Sequence, residues 1–207
     1  GSHVDLVLRF MQLLCEGHNM ALQHYLRHQP SSPRSVDLIS GVAGYVDGLT
    51  PNINPLNVSF ARAAMDALAE FVQNPCRQNQ RALADTKLCA CASQILDIRG
   101  DVPTLSEASL LGGELAALLG DYEWAVNELK SSTVTALLAM LECVDNRYIP
   151  ERMLASLDAS QLIDNVNSLL RIYNPSLLAQ LKREWDEGAL ALHVPKNLPS
   201  DFWDVEG

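Results

Sequence analysis

An all-α domain is predicted, either an irregular armadillo-like helical solenoid or a compact bundle of about eight to ten helices. Three observations carry that expectation. Apolar residues recur at three- and four-residue spacing along most of the chain, alternating strand-like runs are nearly absent, and Pro, Asn and Gly punctuate the pattern at short intervals. No repeat of fixed period is found, so a solenoid would be irregular.

Val4, Val7, Leu8, Met11 and Leu14 share one helical face, which places a first helix up to about Cys15. Gly17 interrupts it, and Asn19 can cap a short second helix carrying Leu22, Tyr25 and Leu26. After the break at 29–33, a third helix starts at Ser35, with Val36, Ile39, Val42, Val46 and Leu49 on its face. Asn54-Pro55 suits a helix start, with Pro in the first turn. The helix that follows buries Ala61, Ala64, Met65, Leu68 and Phe71 and stops at Asn74-Pro75. A fifth helix is expected from Gln78 to Ile98, and a sixth from Ser106 to Leu119, with Gly112-Gly113 as a close-packing pair. A kink at Gly120-Asp121 then leads into a long helix to Cys143. Shorter helices are expected over Pro150–Leu157, Ser160–Tyr173 and from Asn174-Pro175 to before Gly188. The segment 188–207, with Phe202 and Trp203, has no period and is expected to be an irregular tail or linker. The domain expectation is therefore a tag remnant at 1–3, a helical domain at 4–187 and the tail.

The 207 residues are 48% apolar and 19% charged, enough to bury a core. A formal net charge of −10 argues against nucleic acid or an anionic membrane surface as a partner and leaves cations and basic protein surfaces. Five cysteines form no CxxC pair and no even framework, so free, mostly buried thiols in a reducing compartment are expected. No apolar run approaches the roughly 18 residues of a membrane helix, and no signal peptide is expected. Gly1-Ser2-His3 resembles a cleavage scar, as if the piece had been cut from something larger.

Enzyme signatures are missing: GxSxG, GxGxxG, GxxxxGK[ST] and HExxH do not occur, and an enzyme is not expected. Cys15, His18, His24 and His28 have a zinc-like order, C-x2-H then H-x3-H, but the pairs lie too close together for a finger. A buried thiol beside solvated histidines is the simpler account. Asn57-Val58-Ser59 matches the N-glycosylation triplet, a pattern frequent by chance. Glu70 stands in the last turn of its helix, where the dipole favours a cation, and Gln73 shares its face. A carboxylate, an amide oxygen and unpaired carbonyls there would suit a hard cation. A solvated surface Glu is the alternative that spacing leaves open. Glu16 and His18 occupy a comparable helix end at Gly17.

These same residues carry a resemblance. FMQLLCEGHN at 10–19, followed by LQHYLR at 22–27, resembles F-L-Q-L-L-C-E-[GN]-H-N…F-Q-N-[YF]-L-R, which opens the RIH-associated domain of ryanodine and inositol trisphosphate receptors. LAEFVQNPCRQNQ at 68–80 resembles their L-T-E-[YF]-x-Q-G-P-C-x-x-N-Q. NELK at 127–130, LLAMLE at 137–142 and PERML at 150–154 resemble the inositol trisphosphate branch. The likeness runs from about Leu8 to Tyr173. Ala69 and Asn74 depart from the Thr and Gly of the second motif, and Asn tolerates the left-handed conformation a helix stop needs.

The resemblance implies a cytosolic regulatory domain of a large tetrameric calcium-release channel of the endoplasmic reticulum or another internal store. In that family an activating calcium ion sits between this domain and the C-terminal pore-side domain. By motif position its carboxylate ligands would be Glu16 and Glu70, with His18 and Gln73 as near neighbours. The excised piece is expected to be a monomer that binds calcium weakly and touches neither membrane nor nucleic acid. The rival expectation is an α-helical solenoid that serves as a protein-interaction scaffold without channel function.

Overall fold

A computed structural model describes residues 3–98, 113–143 and 147–157, with Ser176, Ala179, Gln180 and Arg183 beyond them; side chains of 113–120 are not among those described. The chain divides into two compact units, Gly1–Leu157 and Asp158–Gly207. The described residues of the second unit are helical. The expected helices at Ser160–Tyr173 and from Asn174, and the tail at 188–207, fall outside the described residues or nearly so.

The first unit contains α1 (His3–Cys15), α2 (Met20–Arg27), α3 (Leu38–Leu49), a 3-10 turn (Thr50–Asn52), α4 (Val58–Val72), α5 (Arg77–Ala84), α6 (Leu88–Asp97), α7 (Gly113–Leu141) and α8 (Tyr148–Ser156). Among the described residues there is no strand, and no helix is long and apolar enough to cross a membrane. The all-α expectation holds.

The core is built around α4. Ala61, Ala64, Met65, Ala67, Leu68, Phe71 and Val72 are all fully buried. Three alanines among larger side chains let neighbouring helices approach closely while Met65, Leu68 and Phe71 fill the space between them. α7 packs most extensively on α4, and α1 and α3 cover its other sides.

Several boundaries differ from the sequence expectation, each for a local reason. The third helix begins at Leu38, not Ser35, because Asp37 caps it by accepting from the Ser40 N–H at 3.0 Å. Pro55 lies in a turn ahead of α4, which starts at Val58. There the Asn57 side chain accepts from Asn54 N–H (2.8 Å) and donates to Asn52 O (2.9 Å). The expected fifth helix is two, α5 and α6. The Thr86 hydroxyl donates to Leu83 O (2.7 Å) and accepts from Leu88 N–H (3.1 Å), closing one helix and opening the next. Conversely, α7 runs unbroken through Gly120-Asp121 for 29 residues. One glycine costs a helix only about 1 kcal/mol, less than the packing on α4 supplies.

Candidate functional site

The C-terminal ends of α1 and α4 meet at one rim. α1 closes at Cys15, which is wholly buried, and Glu16 follows it exposed. Gly17 (φ +73°) and His18 (φ +64°) both take the left-handed conformation, so the chain reverses within two residues. Asn19 then starts α2 by accepting from Leu22 N–H at 3.2 Å. Across the rim, Glu70 and Gln73 are half-buried on the last turn of α4 and its cap.

Electrostatics ties the two turns together. Burial raises the Glu70 carboxyl above its usual range, and the Glu16 carboxylate raises it further. His18 and Arg9 pull it down, and Asp66, one turn back on α4, adds to the rise. The negative charge of Glu16 beside Glu70 at a helix C-terminus is a surplus that a cation relieves, or that a proton on Glu70 partly relieves. Beneath them, burial first and then the charge of Glu70 push the Cys15 thiol up to about 12.

The carbonyl groups at this helix end can be followed one by one. Ala69 O accepts from Gln73 N–H (3.1 Å) and Val72 O from Cys76 N–H (3.0 Å). Phe71 O has lost its helical donor because residue 75 is proline, which carries no N–H. Asn79 Nδ2 supplies one at 2.9 Å. Asn74 N–H, which would serve Glu70 O, goes to the Glu142 carboxylate at 2.9 Å. Arg77 N–H goes to Pro75 O rather than Gln73 O. The single amide nitrogen of Gln23 serves both orphans, reaching Glu70 O at 2.8 Å and Gln73 O at 3.0 Å. The unpaired carbonyls expected from the sequence as cation ligands are therefore already engaged. From α4, what the rim offers a cation is side-chain oxygen.

Three buried amides organise this end of the molecule, and sequence reasoning gave none of them a role. Gln23, Asn79 and Gln80 are at most 1% exposed. Asn79 also donates to Gln23 O (2.9 Å) and accepts from Arg27 Nε (3.1 Å). Gln80 Nε2 closes the end of α7, reaching Ala139 O at 2.9 Å and Glu142 O at 3.0 Å. The available signal was position. Gln23 lies three residues before Leu26, and Gln80 three before Leu83, on faces otherwise apolar. The second helix accordingly buries Gln23 and Leu26, while Tyr25 of the expected face is exposed.

The zinc arrangement does not assemble. Cys15 is sealed in the core, His28 Nδ1 is paired with the Ser35 hydroxyl at 3.0 Å, and no three His, Cys, Asp or Glu side chains among the described residues are grouped to hold a metal unaided. The five thiols are free, four buried and Cys143 exposed.

Comparison with known proteins bears on the family. Residues 2–96 match the family model described as RyR and IP3R Homology associated. The chain is similar to the Inositol 1,4,5-trisphosphate receptor itr-1 of Caenorhabditis elegans, 30% identical over 151 residues, which is 67% of this chain and 5% of the relative. The chain thus spans about one twentieth of that relative's length. With the helices carrying both motifs placed at one rim, and both comparisons agreeing, the chain belongs to the RIH-associated domains of the inositol trisphosphate and ryanodine receptor family.

Proposed function

We propose that this domain is a cytosolic regulatory and coupling module of an intracellular ligand-gated calcium-release channel, on the cytoplasmic face of the endoplasmic reticulum or a similar store. In this reading Glu16 and Glu70 furnish carboxylate oxygens to an activating calcium site, with His18 and Gln73 beside them. The observation that carries the reading is the meeting of the α1 and α4 ends at one rim, where the Glu16 carboxylate raises the Glu70 carboxyl.

The residues present fit calcium in kind and fall short in number. Calcium takes about six to eight oxygens at roughly 2.3–2.6 Å, and this rim offers two carboxylates and one side-chain amide while the carbonyls at the end of α4 are engaged. The remaining oxygens would come from the C-terminal pore-side domain of the same channel, a tetramer in its full length. Affinity in the separate domain is then on the order of millimolar. A site completed only when two domains come together favours that arrangement over the open-jawed one, and this difference in affinity is what biases the pore.

In the intact channel Glu70→Gln should move calcium activation to higher concentration while the fold survives, because a half-buried carboxylate at a negative helix end gains nothing from its charge. An unchanged activation curve sinks the proposal. The scaffold reading draws on a different observation, the exposed stripe of Leu6, Phe10 and Leu13 along α1. It calls for a protein that docks a partner through that stripe without channel function, and for loss of that docking, with no effect of Glu16→Gln or Glu70→Gln, when Leu6, Phe10 and Leu13 are made polar.

A further inference from the structure

We infer that Gln23 is a positioning residue for the Glu70 carboxylate, clamping the end of α4 to the helix that follows the Glu16 turn; the inference rests on the calcium reading above. α2 starts at Met20, directly after the turn that carries Glu16 and His18, and Gln23 N–H donates to Asn19 O in its first turn. From that place its wholly buried side chain crosses to α4 and holds Glu70 O (2.8 Å) and Gln73 O (3.0 Å). One short helix therefore carries one carboxylate turn at its start and grips the other.

The chemistry singles out a primary amide. Two carbonyl oxygens must be met by two N–H groups on one atom, which Gln supplies and Glu, Met or Leu do not. The amide orientation follows from the partners, since the reverse would set oxygen against two oxygens. Gln23 Oε1 is consequently a buried acceptor with no hydrogen-bond partner. Asn79 anchors the Gln23 main chain from behind through its own bond to Gln23 O. The clamp has two effects on the rim. It fixes the last turn of α4, so the Glu70 side chain leaves from a set point relative to Glu16. It also withdraws the two carbonyls from competition for a cation, leaving the carboxylates as the ligands.

The test is a calcium titration of the whole 207-residue chain followed by NMR at the Glu16, His18, Glu70 and Gln73 signals. Gln23→Met, which keeps the volume and removes the donors, should weaken the calcium response roughly ten- to a hundredfold, the range for outer partners that orient metal ligands. Ile95→Ala, a truncation of a fully buried α6 side chain, is the control for plain destabilisation and should leave the midpoint within about twofold. Equal weakening in both variants, or none in Gln23→Met, overturns the inference while leaving the calcium site standing. If the unsubstituted chain shows no calcium-dependent movement of Glu16 and Glu70 at tens of millimolar, the calcium reading itself fails and the inference falls with it. A reading that needs no variant is the Gln23 side-chain NH2 signal, which should move along the same titration curve as Glu70. A stationary Gln23 signal beside a moving Glu70 also overturns the inference.

Discussion

Replacing Asn79 with Leu removes hydrogen bonds while nearly preserving volume, so the loss is one of polar satisfaction rather than of a cavity. Asn79 Nδ2 donates to Phe71 O and Gln23 O, both at 2.9 Å, in a fully buried position. Phe71 O is the costly one, because Pro75 can never donate to it. A buried carbonyl stripped of its donor costs about 1–3 kcal/mol, and the second bond adds about 0.5–1.5 kcal/mol. A loss of about 2–4 kcal/mol is expected, against a total of roughly 5–15 kcal/mol for a domain. Urea denaturation should show a lower midpoint with an unchanged slope, since the surface exposed on unfolding is the same. The reasoning also predicts a coupling. Pro75→Ala restores an N–H at position 75, so part of the Asn79→Leu loss should be recovered in the double variant. A loss below about 1 kcal/mol, or strictly additive effects of the two changes, would refute the claim that Asn79 stands in for the N–H proline lacks.

Other consequences are simpler to read. Gly17→Ala should cost about 1–2 kcal/mol, all of it backbone strain, since a methyl there meets nothing within 4 Å at φ +73°; a neutral result in thermal melts would mean the turn re-forms without the left-handed residue. Alkaline stability should fall between the ordinary thiol value and the folded ones, because burial holds Cys15 at about 12 and Cys89 at about 11 against an ordinary value of 9.0. These thiols stay protonated in the folded chain and ionise in the unfolded one, so the stability they lend is complete below 9.0 and is lost as pH rises toward the folded values. Urea midpoints measured from pH 8 to 11 should therefore decline, and Cys15→Ala should flatten the decline; a flat curve in the parent chain contradicts this. Native thiol labelling at neutral pH should modify the exposed Cys143 quickly and the buried Cys15, Cys76, Cys89 and Cys91 only on unfolding; mass spectrometry that finds Cys15 labelled early would contradict its burial.

The helical class was legible because periodicity reports a buried face directly, and Ala61, Ala64, Met65, Leu68 and Phe71 are that face in α4. Boundaries were less legible where a polar side chain chose them. Thr86 divides one periodic stretch into α5 and α6, and Asp37 delays α3, through hydrogen bonds that apolar spacing does not register. Gly120 misled in the opposite sense, since packing along α7 outweighs a local propensity. At the rim, Glu16 and Glu70 could be named from motif and helix-end position. The condition of the α4 carbonyls could not, because it depends on donors some fifty residues away in sequence, Gln23 reaching Glu70 and Gln73 from another helix. The proline that creates the deficit and the amide that fills it, Pro75 and Asn79, lie within a few residues of one another. That pair was open to inspection and explains in physical terms why the second motif needs both.

The most direct measurement of the central claim is calcium activation of the full-length channel carrying Glu16→Gln, Glu70→Gln and both together. If the two carboxylates hold one ion, each single change should raise the activating concentration by about tenfold or more, equivalent to about 1.4 kcal/mol. The double variant should then fall short of the product of the two shifts, since the second loss acts on a site already disabled. Activation curves that coincide with the parent channel, or shifts that simply multiply, would contradict a shared site at the ends of α1 and α4.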